Sequence, residues 1–172
     1  TSLITPYHAN WHEEVEVPAY DPEEANAILD AAGYEDVDGD GMREDKEGEP
    51  LSINFASMSG GDIAEPLANY YIQSWRDIGL NVELTNGRLI EFNSFYDMVE
   101  NDDPEIDIYQ GAWGVGSDVD PSGLYGPDAP FNYTRYETEE STELLTAGNS
   151  QEALDTDYRK DIYNQWSELM VE

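Results

Sequence analysis

The chain has 172 residues, enough for a domain with a substantial core, and it carries 39 acidic against 7 basic residues for a net charge of −32. Such a surface repels nucleic acid and anionic membranes, which excludes both as partners, while 39% hydrophobic and 12% aromatic residues exclude a disordered acidic tail. Cysteine is absent, so disulfides, thiol chemistry and zinc–thiolate sites are excluded as well.

The acidity is spread along the chain. It reads as a surface adapted to a salty or cation-rich setting, or to a positively charged partner, rather than as one acidic site. No apolar run reaches the length of a membrane span. The opening TSLITPYHANWHEE has neither an initiator Met nor a targeting pattern, and the chain is expected to be a piece of a longer protein.

Residues 1–20 contain Pro6 and Pro18 and no clear periodicity, and are expected to form an extended lead-in to a single lobe over 21–172. His8 and His12 stand four apart in HANWH, but no HExxH accompanies them, and solvated or packed rings are expected rather than metal ligands. Asp21 caps a helix that has Pro22 at its first position, Ala25, Ile28, Leu29 and Ala32 as its apolar stripe, and Gly33 as its stop.

The stretch DVDGDGMREDKE follows. Asp36, Asp38 and Asp40 occupy the first, third and fifth places of an EF-hand-type loop, Gly41 the sixth, Met42 the seventh through its carbonyl and Glu47 the twelfth. Hard oxygen ligands at that spacing can wrap one calcium ion. Against this, Arg43 fills the usually apolar eighth place, and a strand follows instead of a helix. An Asp/Gly turn held by side-chain-to-backbone bonds accounts for the same residues without an ion.

LSINFAS, with Leu51, Ile53 and Phe55 alternating, predicts a strand. A second helix is predicted with Ile63, Leu67, Tyr70, Tyr71 and Ile78 on one face, stopped by Gly79, and LNVELTN predicts the next strand. A helix over about 90–100 would bury Phe92, Phe95, Tyr96 and Val99, and IDIYQGAW predicts a third strand. A Gly/Pro/Asp-rich aromatic loop fills 114–136, and two helices close the chain at about 138–148 and 155–171. Alternating strands and helices imply an α/β layer with parallel pairing.

Pairs such as Asp102–Asp103 and Asp118–Asp120 arise by chance among 39 acids, and no Ser/His/Asp set or phosphate loop is present, so an enzyme is not expected. The Asn132 sequon NYT is short and read as incidental. In DIYQGAWGVGSDVDPSGLYG a strand runs into Gly111, Gly114 and Gly116, which leave backbone open to an extended peptide; a buried strand and an ordinary loop is the other reading.

YDPEEANAILDAAGYEDVDGDGMRE, RDIGLNVEL, DIYQGAWGVGSDVDP, GLYGPDAPFNYTRY and DTDYRKDIYNQWSELM occur in an order that resembles family 5 extracellular solute-binding proteins, the oligopeptide, dipeptide and nickel receptors of ABC importers. The resemblance runs from about Pro18 to the end. It implies a type II periplasmic-binding-protein-like α/β lobe, with a mostly parallel sheet flanked by helices, and a first lobe outside this segment. By the resemblance, Ala112 and Gly114 offer backbone groups to an extended peptide, Trp113 forms the pocket wall, and Asp118, or Asp120, takes the peptide's α-ammonium. It also implies permease subunits of an importer as partners. The setting implied is the surface of a Gram-positive bacterium, with a lipid anchor outside this segment as the sole tie to the membrane; the acidic composition adds the expectation of a salt-adapted host. No cofactor is expected to be required, and calcium is the one ion the residues themselves suggest. A stand-alone calcium-binding or adhesion-type acidic module is the reading in another class; within the class, dipeptide, nickel or sugar ligands stay open.

Overall fold

The computed structural model describes residues 4–114 and 116–171. The chain divides into two compact units, Thr1–Ala19 with Trp113–Glu172, and Tyr20–Ala112. The division differs from the expected lead-in over 1–20 and single lobe over 21–172. Residues 4–19 are not simply extended: the chain turns at His8–His12, Ile4 and Trp11 join a core with Val119, Ile162 and Tyr163, and Val15 is buried.

The 20–112 unit is the α/β part. Helix α1 (Pro22–Ala32) starts where Asp21 accepts from the amides of Glu23 and Glu24, and ends at Gly33 in the left-handed conformation. Its predicted stripe is not a buried face. No residue of α1 is fully buried, and Ile28 is exposed.

Strands β1 (Ser52–Ser57), β2 (Asn81–Leu84) and β3 (Ile108–Gln110) form a three-stranded sheet in the order β2-β1-β3, parallel throughout. In register, Ser52 to Phe55 face Asn81 to Leu84, and Phe55 to Ser57 face Ile108 to Gln110. As the middle strand, β1 alternates only at its start; Phe55, Ala56 and Ser57 are all buried, as expected for a strand paired on both edges and covered on both faces.

Helices α2 (Ala64–Arg76) and α3 (Phe92–Glu100) make the crossovers. The α2 contact face is Ala68, Tyr71, Ile72 and Trp75, packed on Phe55 and Val82. Ile63 and Tyr70, expected on that face, are exposed, and Ile78 lies past the helix end. Phe55 meets Tyr71 and Trp75 edge-on, and its burial contributes about 2–3 kcal/mol. In α3, Phe95 and Val99 are buried but Phe92 is exposed.

The other unit has helices and no strand among the described residues: α4 (Ser122–Tyr125), α5 (Glu139–Ala147) and α6 (Thr156–Leu169). Thr138 caps α5 by accepting from Ser141 N, and Asp155 caps α6 by accepting from the amides of Asp157 and Tyr158. Their core joins Ile4, Val119, Ile162 and Tyr163, with Trp11, Leu144 and Ala147 against it. Trp166 is fully buried and donates through Nε1 to Ser141 Oγ at 3.0 Å, which satisfies both groups.

Candidate functional site

In the α/β unit the Asp/Gly loop is a self-bonded turn. Asp36 accepts from the amides of Gly39 and Gly41, Asp38 from Asp40, and Asp40 from Met42, at 2.7–3.0 Å. The left-handed backbone at Gly39 and Gly41 is what allows the chain to wrap so tightly.

One carboxylate oxygen from each of Asp36, Asp38, Asp40 and Glu44 lies within 4.8 Å of the other three. Glu47, assigned to the same group from the sequence, is not among them. The chain leaves the loop at Glu44, bridges to Pro50, and makes a second turn in which Asp45 accepts from the amides of Glu47 and Glu49; Glu47 is exposed at that turn. Buried Glu44, accepting from Val37 N at 2.6 Å, stands in its place. Met42 supplies its amide to Asp40. Arg43 does point inward, as the eighth place requires, but into a polar nest: its guanidinium meets Asp30, Asn26 and the carbonyls of Tyr34 and Ile78.

The histidine rings bind separate carbonyls, His8 that of Gly116 and His12 that of Ile4, and so act as ties rather than as a pair. Asp102 and Asp103 belong to a turn in which Asp103 accepts from Glu105 N. The Asn132 amide is bonded to the Tyr136 carbonyl.

Strand β3 stops at Gln110, three residues before Trp113, so Trp113 is not a strand residue as predicted. The glycine at 111 and the open backbone after it end the pairing. Ala112 belongs to the 20–112 unit, where its carbonyl accepts from Tyr96 Oη at 2.9 Å.

Trp113, Gly114, Asp118 and Asp120 are brought together in the helical unit. They line a cavity of about 310 Å³ with Val119, Leu124, Tyr125, Phe131 and Trp166. Trp113, 47% exposed, packs on Phe131 with ring centres 4.8 Å apart, and Tyr125 packs on Trp166 at 5.1 Å. The cavity is therefore an aromatic box with carboxylates on its wall.

The two aspartates have different surroundings. Asp120 accepts from Ser122 Oγ at 2.6 Å and from Ser122 N at 3.0 Å. Burial acts to raise its carboxyl, but the bonds from Ser122, with the polar groups of Asn149 and Tyr163 beside it, outweigh burial and hold Asp120 below the usual carboxylate value. Asp118 has a side chain 65% exposed; its Oδ1 meets Arg159 at 3.2 Å and Asp120 N at 3.2 Å, and its Oδ2 has no partner among the described residues.

Sequence reasoning missed Arg159 and Tyr163. Arg159 donates to the Gly148 carbonyl and to Tyr163 Oη, each at 3.0 Å. Burial, then the charge of Asp120, pushes the Tyr163 phenol up to about 12. The available signal was scarcity: in YRKDIYNQW, one of seven basic residues stands four places before a tyrosine on a predicted helix.

A parallel three-stranded βαβ unit and a helical unit with an aromatic, carboxylate-edged cavity define a ligand-binding protein fold. The model of the bacterial extracellular solute-binding proteins, family 5 (middle region), matches residues 1–135, and the chain belongs to this family. The oligopeptide-binding protein OppA of Lactococcus lactis subsp. lactis strain IL1403 is 34% identical over 152 residues, covering 87% of this chain and 25% of its own. Lactococcal OppA, solved with an endogenous peptide in the closed conformation, superposes with a TM-score of 0.89 at 33% identity over 99% of this chain and 32% of that one. AppA of Bacillus subtilis, solved with a nonapeptide, gives a TM-score of 0.85 over 99% of this chain and 34% of that one, and at 20% identity shares the fold. The chain thus spans about a quarter of the length of the curated relatives it matches.

Proposed function

We propose that this segment is part of an oligopeptide-binding component of an ABC importer, working outside the cell and delivering peptide to permease subunits. Trp113 and Gly114 form one wall of the peptide site, and Asp118 takes the α-ammonium. The observation that carries this reading is the exposed, half-partnered carboxylate of Asp118 on an aromatic cavity, in a chain 34% identical to an oligopeptide-binding protein. Asp120 is a weaker candidate because its oxygens already serve Ser122. Backbone capture together with one charge on the ammonium ignores side-chain identity, which suits a receptor for mixed peptides. Family membership favours this reading over a stand-alone calcium or adhesion module. A surface lipid anchor and a Gram-positive, salt-adapted host are further parts of the proposal.

The test uses the full-length receptor and calorimetry with mixed tri- to hexapeptides. Asp118→Asn should weaken free-amine peptides by about 10–100-fold, the worth of a charge-assisted bond, while Asp120→Asn changes binding less. Unchanged peptide affinity in Asp118→Asn would sink the assignment.

A second, structural element of the proposal is calcium in the Asp loop, supported by the four clustered carboxylates with Glu44 in place of Glu47. The ion would tie down the turn and leave peptide choice alone.

A further inference from the structure

Resting on the ammonium role of Asp118, we infer that Arg159 is the positioning residue that aims this carboxylate. Asp118 sits on a loop, in no helix or strand, with most of its side chain in solvent. An aspartate so placed samples several rotamers, and a ligand that needs one of them must supply the ordering free energy on binding. Arg159 removes that cost. Its own side chain is 19% exposed and is fixed from several sides. Nε donates to the Gly148 carbonyl at 3.0 Å, Nη2 donates to Tyr163 Oη at 3.0 Å, and that hydroxyl donates to the same carbonyl at 3.2 Å. The guanidinium also lies over the rings of Trp11 and Tyr163, at 5.5 and 5.1 Å. A cation with one allowed orientation then presents Nη2 to Asp118 Oδ1 at 3.2 Å, the oxygen that also accepts from Asp120 N at 3.2 Å, and leaves Oδ2 for the ligand.

The site bears a cost, since a guanidinium on the same carboxylate offsets part of its pull on an ammonium. In a chain of net charge −32, however, attraction for a cation is abundant and orientation is what a lone exposed aspartate lacks. The support behind Arg159 is specific to its fork. Lysine has no Nε–H for Gly148 and no planar edge to hold Tyr163 and Asp118 together. Gly148 belongs to the same device: a Cβ there would collide with the Tyr163 ring, displacing the hydroxyl that holds the guanidinium.

The experiment takes the full-length receptor and titrates an alanine pentapeptide with a free or an acetylated amino terminus into the parent, Arg159→Gln, Arg159→Lys, Tyr163→Phe and Asp118→Asn. Arg159→Gln should lose about tenfold in affinity for the free-amine peptide and less than about twofold for the acetylated one. Arg159→Lys should match Arg159→Gln, and Tyr163→Phe, which keeps the ring in the core, should show a smaller loss of the same selectivity. Equal losses for both peptides, or none, in Arg159→Gln and Tyr163→Phe would make Arg159 a packing residue and overturn the inference alone. If Asp118→Asn keeps the parent's preference for the free amine, the ammonium role itself falls, and this inference with it.

Discussion

Asp118 and Asp120 stand two residues apart, yet one is held inside a hydrogen-bond network and the other projects into solvent. The difference has a measurable consequence in acid. The folded state lowers the Asp120 carboxyl, so its ionised form contributes stability that is full above the unfolded value of about 3.9 and is lost as pH falls through the lower folded value. Asp120→Asn should cost about 1 kcal/mol at neutral pH, a typical hydrogen-bond worth, and lose less stability than the parent between pH 5 and 3. Parallel melting curves for parent and variant across that range would show that the bonds from Ser122 do not hold the charge. Both aspartates were legible as candidates from the sequence. Their separation was not, because it depends on Ser122, Asn149 and Tyr163, the last two lying nearly 30 or more residues away.

At the level of the element, helix starts were well marked in the sequence. Asp21 caps its helix as predicted, and Thr138 and Asp155 cap the two closing helices at about the starts predicted for them, because a cap is a bond within four residues. Buried faces fared worse. Ile28, Ile63, Tyr70 and Phe92 are exposed although each falls on a predicted apolar stripe, since periodicity tells which residues share a face and not whether a partner covers it. The Asp loop shows the same limit: its spacing named three of the four clustered carboxylates, and only the bridge from Glu44 to Pro50 replaced Glu47 by Glu44. If the loop binds calcium with the roughly 10⁻⁴ M affinity of extracellular sites, 10 mM calcium should stabilise the chain by about 2.7 kcal/mol. Melts with chelator and with calcium should show this rise in the parent and in Glu47→Gln. The rise should vanish in the double variant Asp38→Ala with Asp40→Ala and shrink in Glu44→Gln. No rise in the parent would leave the stretch a turn held by its own amides.

For the molecule as a whole, charge is the dominant quantity. With 39 acids against 7 bases, self-repulsion opposes the compact state, and salt should relieve it. The melting temperature should climb between dilute buffer and ~1 M salt, where the screening length falls to about 3 Å. A flat or falling trend would mean that the acids are too well separated, or too well hydrated, to strain the fold.

The sequence by itself determined the α/β class, the order of the elements, the family and the stretch that holds the candidate site, because these follow from local periodicity, caps and ordered motifs. Tertiary structure alone decided that β1 is the central strand and that Ile4 and Trp11 join the core of 113–172. It also decided that β3 ends before Trp113 and that Arg159 reaches Asp118. Each of these depends on which distant residues meet: Arg159 lies within 3.2 Å of a residue 41 positions earlier, in a unit whose core joins Tyr163 of α6 to Leu144 and Ala147 of α5.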